Sequence, residues 1–570
     1  MISHRIVQRV ARQFRDFVCD QRGNITLMAT LSAIPVVAAV GAGVDYARIS
    51  RETTALSAAV DSALLATISS ENSKLSGLTE AQKAQRLATL KTTVTNYLKD
   101  NYNSERGASA EINATLVING DTVTMTATQE MPMTLMSFLG TPSINITVTS
   151  EAVRGLAVTT PVEMALVMDT TGSMGSTYMN QAKVAARQLL TTIYDGDKTT
   201  KKENPNIRLS LVPFAAAVRL NRSASDFKLD WIDTNGSSSV SRINFSDASW
   251  HNYMAWSKMK VGSSALSWNG CVEARPRGSA PFNYNVNDQP PTAGVGDSLF
   301  TPYFAPDEPT FSGSTTDPYN FDNSYIGTSG SPMETTGISN STNSSNHANR
   351  QKNINKYNNR TITAEASSSY GPWYNCARTP VVPMTYDRAK IEDGITAMSA
   401  GGNTLIAEGL AWGWRTLSPG EPFTKVEAGP TIAGGEISTY DSKWKKVLVL
   451  MTDGENNVSG GLNSLNGSSY SAYGFPTTTL AKNRFGSTTP SQAESKLDDA
   501  MMELCTNIKA TGVEIYTVAF RVNTTTILNN LKNCASSTAH YSKAADGTEL
   551  AAVFTAIGEN VKANLVYLSK

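Results

Sequence analysis

The sequence contains few of the residues on which catalysis and soft-metal binding usually depend. It has 4 histidines and 5 cysteines in 570 residues. Because no C-x-x-C pair occurs, neither a structural zinc site nor a redox dithiol is expected. No histidine lies in an H-E-x-x-H motif or beside a serine in a nucleophile elbow, and the G-x-x-x-x-G-K-[ST] loop of ATPases is missing. The sequence therefore predicts a protein that is not an enzyme.

The chain has no net charge at pH 7, which argues against nucleic acid as a partner. Lys+Arg 49 and Asp+Glu 49 cancel, so nothing indicates binding to nucleic acid. The hydrophobic content of 40% is that of an ordinary globular protein. A chain of this length is long for one hydrophobic core, and it predicts two or three domains.

A single long apolar segment lies near the start of the chain. Ile25 to Val44 carries no charge and has about 20 residues, which is enough to cross a bilayer as a helix. Five arginines precede it, against two acidic residues: Arg5, Arg9, Arg12, Arg15 and Arg22, with Asp16 and Asp20. The positive-inside rule therefore predicts a cytoplasmic N-terminus and places everything after Asp45 outside. A cleaved signal peptide is the alternative, but its apolar core usually has roughly 7–15 residues, so we expect an uncleaved anchor.

The residues after this segment predict that its helix continues. Large apolar side chains recur every four residues with alanines between them, in the pattern of an amphipathic helix: Leu56, Val60, Leu64 and Ile68. Together with Gly23, the apolar run and Asp45, this pattern is similar to the N-terminal region of the TadE/TadG group of bacterial tight-adherence (Flp) pilus-assembly proteins. The resemblance covers about the first 70 residues. One departure is Met28, which stands where prepilin-type processing sites carry a glutamate, five residues after the cleaved glycine.

A small domain is predicted next. The capping box that begins at Thr79 opens a helical pattern. Alternating apolar residues on either side of Asn119-Gly120 predict a β-hairpin, and Ile144, Ile146 and Val148 predict a third strand. We interpret this region as a helix-plus-sheet stalk domain in which no chemistry is visible.

From about residue 160 apolar strands alternate with helical patterns. The predicted strands are Met164–Met168, Ile207–Phe214, Val447–Met451 and Val513–Phe520, and the predicted helices lie near Met179–Ile193, Leu405–Leu417, Ala493–Ile508 and Leu550–Ile557. Such alternation predicts an α/β fold with a mostly parallel sheet that helices cover on both faces. Between about 221 and 381 the alternation stops, which indicates a long insertion. Aromatic residues in it, such as Trp268 and Tyr303, either form a recognition surface or pack the insertion onto the sheet.

Polar residues follow two of these strands and one glycine pair. Asp169, Thr171 and Ser173 leave the first strand at alternate positions, Thr404 follows Gly401-Gly402, and Asp453 follows Val447–Met451. Ligands collect at the carboxyl ends of parallel strands, so these side chains are expected to meet. Two carboxylates and three hydroxyls form a hard oxygen cluster that suits Mg²⁺ or Mn²⁺.

This arrangement resembles the metal-ion-dependent adhesion site (MIDAS) of von Willebrand factor type A (VWFA) domains. Asp169, Thr171 and Ser173 match the family's first loop, Thr404 its second and Asp453 its third. The resemblance implies a Rossmann-like sheet and a divalent ion with an open coordination position that accepts a carboxylate from a partner protein. The alternatives are an ordinary Asp/Thr turn that caps a helix and a metal-dependent hydrolase that uses the two aspartates.

Cysteine usage fits an oxidising compartment. Cys19 lies on the predicted cytoplasmic side, which leaves four cysteines outside, where disulfides form. Four cysteines allow three connectivities. In one of them Cys271 with Cys376 would close the insertion, and Cys505 with Cys534 would join two consecutive helical segments.

These observations predict one layout for the whole chain. Its segments are a cytoplasmic basic segment at 1–22, a transmembrane helix at 23–45, a TadE/TadG-like stalk at 46–155 and a VWFA domain at 156–565. We expect a single-pass protein of the bacterial inner membrane, with the bulk of the chain periplasmic or surface-exposed. Its expected partners are proteins of the cell envelope or the pilus machinery. The alternative is an envelope-anchored docking or structural protein that is unrelated to pili.

Overall fold

The structure is a computed structural model. It describes residues 24–69, 85, 88, 89, 91, 92, 94–96, 98, 102, 111–119, 122–153, 161–225, 227–277, 283–308, 323–326, 349, 351–362, 370–458, 466–477, 484–487 and 489–563. The chain divides into two compact units, which are described separately: Met1–Thr159 with Val566–Lys570, and Thr160–Leu565. The basic segment 1–22, the capping box at Thr79 and the hairpin residue Gly120 lie outside the described residues.

The first unit packs one long helix on a small antiparallel sheet. Helix α1 (Asn24–Ser69) is continuous, as the sequence predicts. Strands β1 (Ile112–Asn119), β2 (Thr122–Pro132) and β3 (Ser143–Val153) pair in the order β1-β2-β3. The apolar stripe of α1 is buried in a common core with the inward-facing residues of the strands: Leu56, Val60, Leu64, Val123, Met125 and Ile146.

The apolar start of α1 was predicted to cross a membrane. In the part of the chain that the structure describes, no helix meets the length and hydropathy needed to span one. The transmembrane helix stays a prediction.

The second unit is built around a mixed sheet that is mostly parallel, as expected. Its described strands are β4 (Val162–Asp169), β5 (Ile207–Phe214), β6 (Val382–Thr385), β7 (Lys445–Thr452), β8 (Glu514–Phe520) and β9 (Tyr541–Ala544). They lie in the order β6-β5-β4-β7-β8-β9. All neighbouring pairs are parallel except β6 with β5, which is antiparallel. The sequence did not predict this edge strand.

Helices cover both faces of this sheet. They are α2 (Gly175–Tyr194), α3 (Arg388–Ala397), α4 (Ile406–Leu417), α5 (Pro490–Ala510), α6 (Thr525–Cys534) and α7 (Gly547–Ala563). Residues of β4 alternate between two cores: Ala165 and Val167 face the core with α4 and α5, and Met164 and Leu166 face the core with α2 and α7. Because both faces are buried, the strands are apolar throughout, which is why their positions could be predicted.

The insertion contains short elements. Its described helix is Asn252–Lys258. Two-residue strands pair Val218–Arg219 with Cys271–Val272 and Lys260–Val261 with Ser264–Ala265, and Lys425–Val426 pairs with Gly435–Glu436 beyond it. The 3-10 turns are Leu229–Trp231, Tyr284–Val286, Gly296–Ser298 and Ile354–Tyr357, with Met136–Leu139, Gly172–Met174 and Thr538–His540 elsewhere.

The aromatic residues of the insertion form part of its core. Trp231, Trp256, Trp268, Tyr303 and Phe304 are all buried. Trp256 lies at 6.2 Å from Phe304 between ring centroids, in an edge-to-face arrangement, a geometry that aromatic pairs prefer. These side chains therefore pack the insertion, and they are not exposed for recognition.

Two disulfides join the cysteines as expected. Cys271 pairs with Cys376 within the insertion, with 6.3 Å between their Cα atoms, and Cys505 on α5 pairs with Cys534 at the end of α6, with 5.1 Å. The prediction of disulfides is confirmed. Cys19 lies outside the described residues.

Candidate metal centre

The first loop of the candidate site leaves the end of β4. Asp169 is the last residue of β4, and its side chain is fully buried. Its Oδ1 atom accepts the backbone N–H of Thr171 at 2.8 Å, which turns the chain into the 3-10 turn that precedes α2. The hydroxyls of Thr171 and Ser173 lie 3.0 Å apart. Three oxygen-bearing side chains at alternate positions thus converge within one short turn.

The third loop lies beside the first because their strands are neighbours. β7 runs parallel to β4, with Met451 opposite Met168, so Asp453 emerges next to Asp169. Ser173 Oγ donates to Asp453 Oδ1 at 2.7 Å. Thr452 Oγ1 donates to Asp169 Oδ2 at 2.7 Å. Hydroxyl groups therefore tie each carboxylate to the neighbouring loop.

The second loop closes the cluster from the side of α4. Gly172 N donates to Gly402 O at 2.8 Å, and Gly401 N donates to Thr170 O at 2.9 Å. A Cβ atom placed on Gly454 would lie 4.0 Å from both Ser173 Oγ and Thr404 Oγ1, so these hydroxyls face the same point. The structure thus brings all five predicted residues together at one edge of the sheet.

Electrostatics at this edge favour a cation. Burial raises the pKa of Asp169. Burial, followed by the nearby charge of Asp169, raises the pKa of Asp453 to about 7. Two carboxyl groups that disfavour each other's ionised form would both be stabilised as carboxylates by a divalent ion.

The donor set fits a hard divalent ion. Within the described residues, no group of three or more His, Cys, Asp or Glu side chains could hold a metal. The candidate centre instead combines two carboxylates with hydroxyls, oxygen donors that suit Mg²⁺ or Mn²⁺. Ser173 is exposed, whereas Asp169, Thr171 and Thr404 are buried. One side of the cluster is therefore open to solvent and to a ligand from another molecule.

Several supporting residues were missed by the sequence analysis. Asn456 Oδ1 accepts the N–H of Ile406 at the start of α4 at 2.9 Å, and its Nδ2 donates to Asp498 on α5 at 2.7 Å. Asn457 N donates to Thr404 O at 2.8 Å. Two asparagines shortly after Asp453 were the available signal, since asparagine commonly bonds backbone groups in loops.

A residue of the insertion supports the second loop from behind. Gly402 has φ +86°, and a Cβ atom there would lie 2.8 Å from Asn375 O. Asn375 itself has φ +65° and accepts the N–H of Ala216 at 3.2 Å. It directly precedes the disulfide residue Cys376. The closed insertion is therefore packed against the loop that carries Thr404, a contact that no local sequence pattern indicates.

A separate buried carboxyl lies inside the insertion. Glu273 Oε1 accepts the Nδ2 group of Asn252 at 2.7 Å and the hydroxyl of Tyr470. Arg484 Nη1 lies 3.5 Å from its Oε2 atom. Burial, which outweighs this cation, raises the pKa of Glu273 to about 7. This group lies outside the candidate metal centre.

The described histidines take part in local contacts. His251 Nδ1 accepts the N–H of Met254 at 3.4 Å and caps the helix Asn252–Lys258. His540 Nδ1 lies 2.6 Å from Ser537 Oγ within one 3-10 turn, and its Nε2 lies 3.4 Å from Glu514. Glu514 begins β8, whereas the metal loops follow the ends of their strands. His540 therefore makes structural contacts at the start of β8 and takes no part in the metal loops.

Comparison with known proteins identifies a family at the N-terminus. Residues 23–69 match the family model described as "Putative Flp pilus-assembly TadE/G-like". The predicted resemblance of this region to the TadE/TadG group is confirmed. No curated protein sequence matches this chain.

Solved structures that resemble this chain include two pilus proteins and a thread matrix protein. The pilus adhesin SpaC of Lactobacillus rhamnosus GG, in its open conformation, is 10% identical with a TM-score of 0.31, over 80% of this chain and 34% of SpaC. This chain thus spans about a third of SpaC. The vWF domain of the type V pili tip protein Mfa5 of Porphyromonas gingivalis is 11% identical with a TM-score of 0.32, over 72% of this chain and 97% of that domain. Proximal thread matrix protein 1 of the mussel byssus, with a zinc-occupied MIDAS motif, is 12% identical with a TM-score of 0.19, over 72% of this chain and 97% of that protein.

Proposed function

We propose that this TadE/TadG-like chain is a membrane-anchored envelope protein of a tight-adherence pilus system, in which a VWFA domain binds a protein partner through a divalent ion. The match of residues 23–69 to a pilus-assembly family supports the pilus system. The convergence of Asp169, Thr171, Ser173, Thr404 and Asp453 at one sheet edge is the observation that carries the binding role. In this proposal the protein is not an enzyme.

Each residue of the centre has a part in this proposal. Asp169 and Asp453 would supply the negative charge that attracts Mg²⁺ or Mn²⁺, and the three hydroxyls would complete an oxygen shell. The bound ion would supply a positive charge that attracts a partner's carboxylate. The exposed position of Ser173 leaves that side of the centre accessible.

The anchor and orientation are part of the same proposal. The uncharged run from Ile25 to Val44 follows an arginine-rich segment, which favours a cytoplasmic N-terminus. A periplasmic reporter fused after Lys570 is expected to be active. A reporter at that end that works only in the cytoplasm would refute the orientation.

Complementation of a deletion strain tests the binding role directly. We expect wild-type protein and Asp393→Asn to restore surface pili, and Asp453→Asn to fail, at equal protein levels in the membrane fraction. Asp393 is an exposed aspartate on α3, so it controls for loss of one charge. Normal pili with Asp453→Asn would contradict a role of the metal centre in pilus function. Neighbouring genes for pilins and a secretion ATPase would distinguish this proposal from a docking protein unrelated to pili.

A further inference from the structure

The loop between β2 and β3 carries an unusual number of large apolar residues. Its sequence from Met133 to Leu139 is Met-Thr-Leu-Met-Ser-Phe-Leu. The loop is well defined, because Met133 N donates to Pro142 O at 2.9 Å and Thr141 N donates to Met136 O at 3.1 Å. Leu135 nevertheless exposes 36% of its surface. One exposed leucine is ordinary, but Leu135 lies against Gly41 of α1, beside the exposed side chains of Val40 and Val44. An apolar patch of this kind indicates a contact with something apolar.

This loop is bonded to α1 at the end of the uncharged run. Asp45 is the first charged residue after Ile25, and it is 1% exposed. Its Oδ2 atom accepts the backbone N–H groups of Leu135 and Met136, each at 2.9 Å, and its Oδ1 atom accepts that of Thr134 at 3.2 Å. Arg48 Nη1 also lies 3.5 Å from the Oδ1 atom. Three amide groups and one guanidinium thus take the place of water around this buried carboxylate.

The same turn of α1 is shaped to receive the loop. A Cβ atom on Gly41 would lie 2.8 Å from Leu135 Cβ, so a larger residue there would push the loop away. Around this contact, α1 exposes an apolar stripe at helical spacing: Val36, Val40 and Val44 are 60%, 61% and 47% exposed. Leu135 therefore lies against the segment of α1 that is proposed to enter the bilayer.

We propose that the loop Met133–Leu139 rests in the interfacial layer of the membrane, with Leu135 in contact with lipid acyl chains and Asp45 shielded beneath it. This inference depends on the proposed anchor. It adds a second lipid contact, which fixes the first unit against the bilayer surface. Apolar side chains at this depth gain from burial among lipids, whereas a free carboxylate would lose hydration.

Site-directed spin labelling of the full-length chain in nanodiscs of phosphatidylcholine and phosphatidylglycerol tests this inference. In a Cys19→Ser background the remaining cysteines are paired, so single labels can be placed at Leu135→Cys, Val36→Cys and Val117→Cys. Val117 is 54% exposed on β1 and pairs with Thr124, eight residues from the end of β2. It lies about 27 Å along the strand from the loop.

We expect labels at Val36 and Leu135 to be more accessible to oxygen than to a water-soluble nickel chelate, and the label at Val117 to show the reverse. Asp45→Ala should shift the Leu135 label towards the aqueous value and leave the Val36 label unchanged. If Leu135 resembles Val117 while Val36 contacts lipid, the loop inference is wrong and the anchor stands. If Val36 is aqueous as well, the anchor itself fails. Low accessibility of Leu135 to both reagents would indicate a protein contact and would also overturn the inference.

Discussion

Replacing one carboxylate of the candidate centre should separate metal binding from stability. In the absence of a metal, Asp169 and Asp453 raise each other's cost of ionisation, which is one reason why the pKa of Asp453 lies near 7. Asp453→Asn removes this repulsion and keeps an oxygen that can accept from Ser173 Oγ. We therefore expect its apo form to melt at or above the wild-type temperature, and its response to Mg²⁺ to be lost.

The size of the wild-type response can be worked out from linkage. An ion at ten times its Kd stabilises the folded form by about 1.4 kcal/mol, and at a hundred times by about 2.7 kcal/mol. The second unit has roughly 400 residues, for which the entropy of unfolding is about 0.85 kcal/mol per kelvin. The melting temperature should thus rise by about 1.5 °C and 3 °C at these two concentrations. For a Thr404→Ala variant that binds the ion about tenfold more weakly, the melting temperature should rise by about 0.5 °C at the lower of the two ion concentrations.

Intrinsic fluorescence can follow this transition in the full-length chain. All 8 tryptophans lie beyond residue 230, in the second unit. Melting curves in Mg²⁺, in Mn²⁺ and in sodium chloride of equal ionic strength separate specific binding from screening. Asp393→Asn should respond like the wild type. No response of the wild type to millimolar Mg²⁺ or Mn²⁺ would refute the metal centre, and an undiminished response of Asp453→Asn would place the ion elsewhere.

Three further predictions concern the insertion and the Gly402 loop that it contacts. Gly402→Ala should weaken Mg²⁺ binding in calorimetry, because its φ of +86° and the contact with Asn375 O leave no room for a Cβ atom; unchanged affinity would show that this support is dispensable. Burial raises the pKa of Glu273 from 4.5 when unfolded to about 7 when folded. Between these pH values the folded state keeps a proton that the unfolded state has lost. The stability of the folded state that depends on this proton is therefore complete below pH 4.5 and is lost as the pH rises to about 7. Glu273→Gln should therefore gain about 3 kcal/mol relative to wild type across that range in denaturation experiments, and a constant difference would contradict the shift. Peptide mapping without reductant should recover Cys271 linked to Cys376; free thiols at both positions would refute the pairing.

The sequence predicts the sheet best where strands are buried on both faces. β5 begins and ends at the predicted residues, and the bounds of β7 and β8 differ from the predictions by one or two residues. Such strands appear as continuous apolar runs. β6 has four residues, and helix α3 after it contains only a weak apolar pattern. Their positions depend on packing against β5, which local sequence does not encode.

The candidate centre was predictable for a different reason. Its first loop is local, so Asp169, Thr171 and Ser173 appear together in the sequence at the spacing of one turn. Thr404 and Asp453 could be assigned because each follows a recognisable feature, a glycine pair or an apolar strand. The two asparagines after Asp453 indicate a loop that bonds to backbone groups. Their partners were not predictable, because Asn456 and Asn457 bond to residues that only the folded sheet brings close.

The insertion contacts the candidate centre through its backbone, which its aromatic composition does not indicate. Its aromatic residues could form a recognition surface or pack the insertion, and they are buried. The part that reaches the Gly402 loop is the backbone of Asn375. Asn375 is held on one side by the bond from Ala216 N and on the other by the disulfide at Cys376. A metal site gains affinity when its ligands are fixed before the ion arrives. The insertion packs against the Gly402 loop, and a disulfide closes its long loop. If the proposed centre binds an ion, this packing would hold Thr404 in place without contacting the ion.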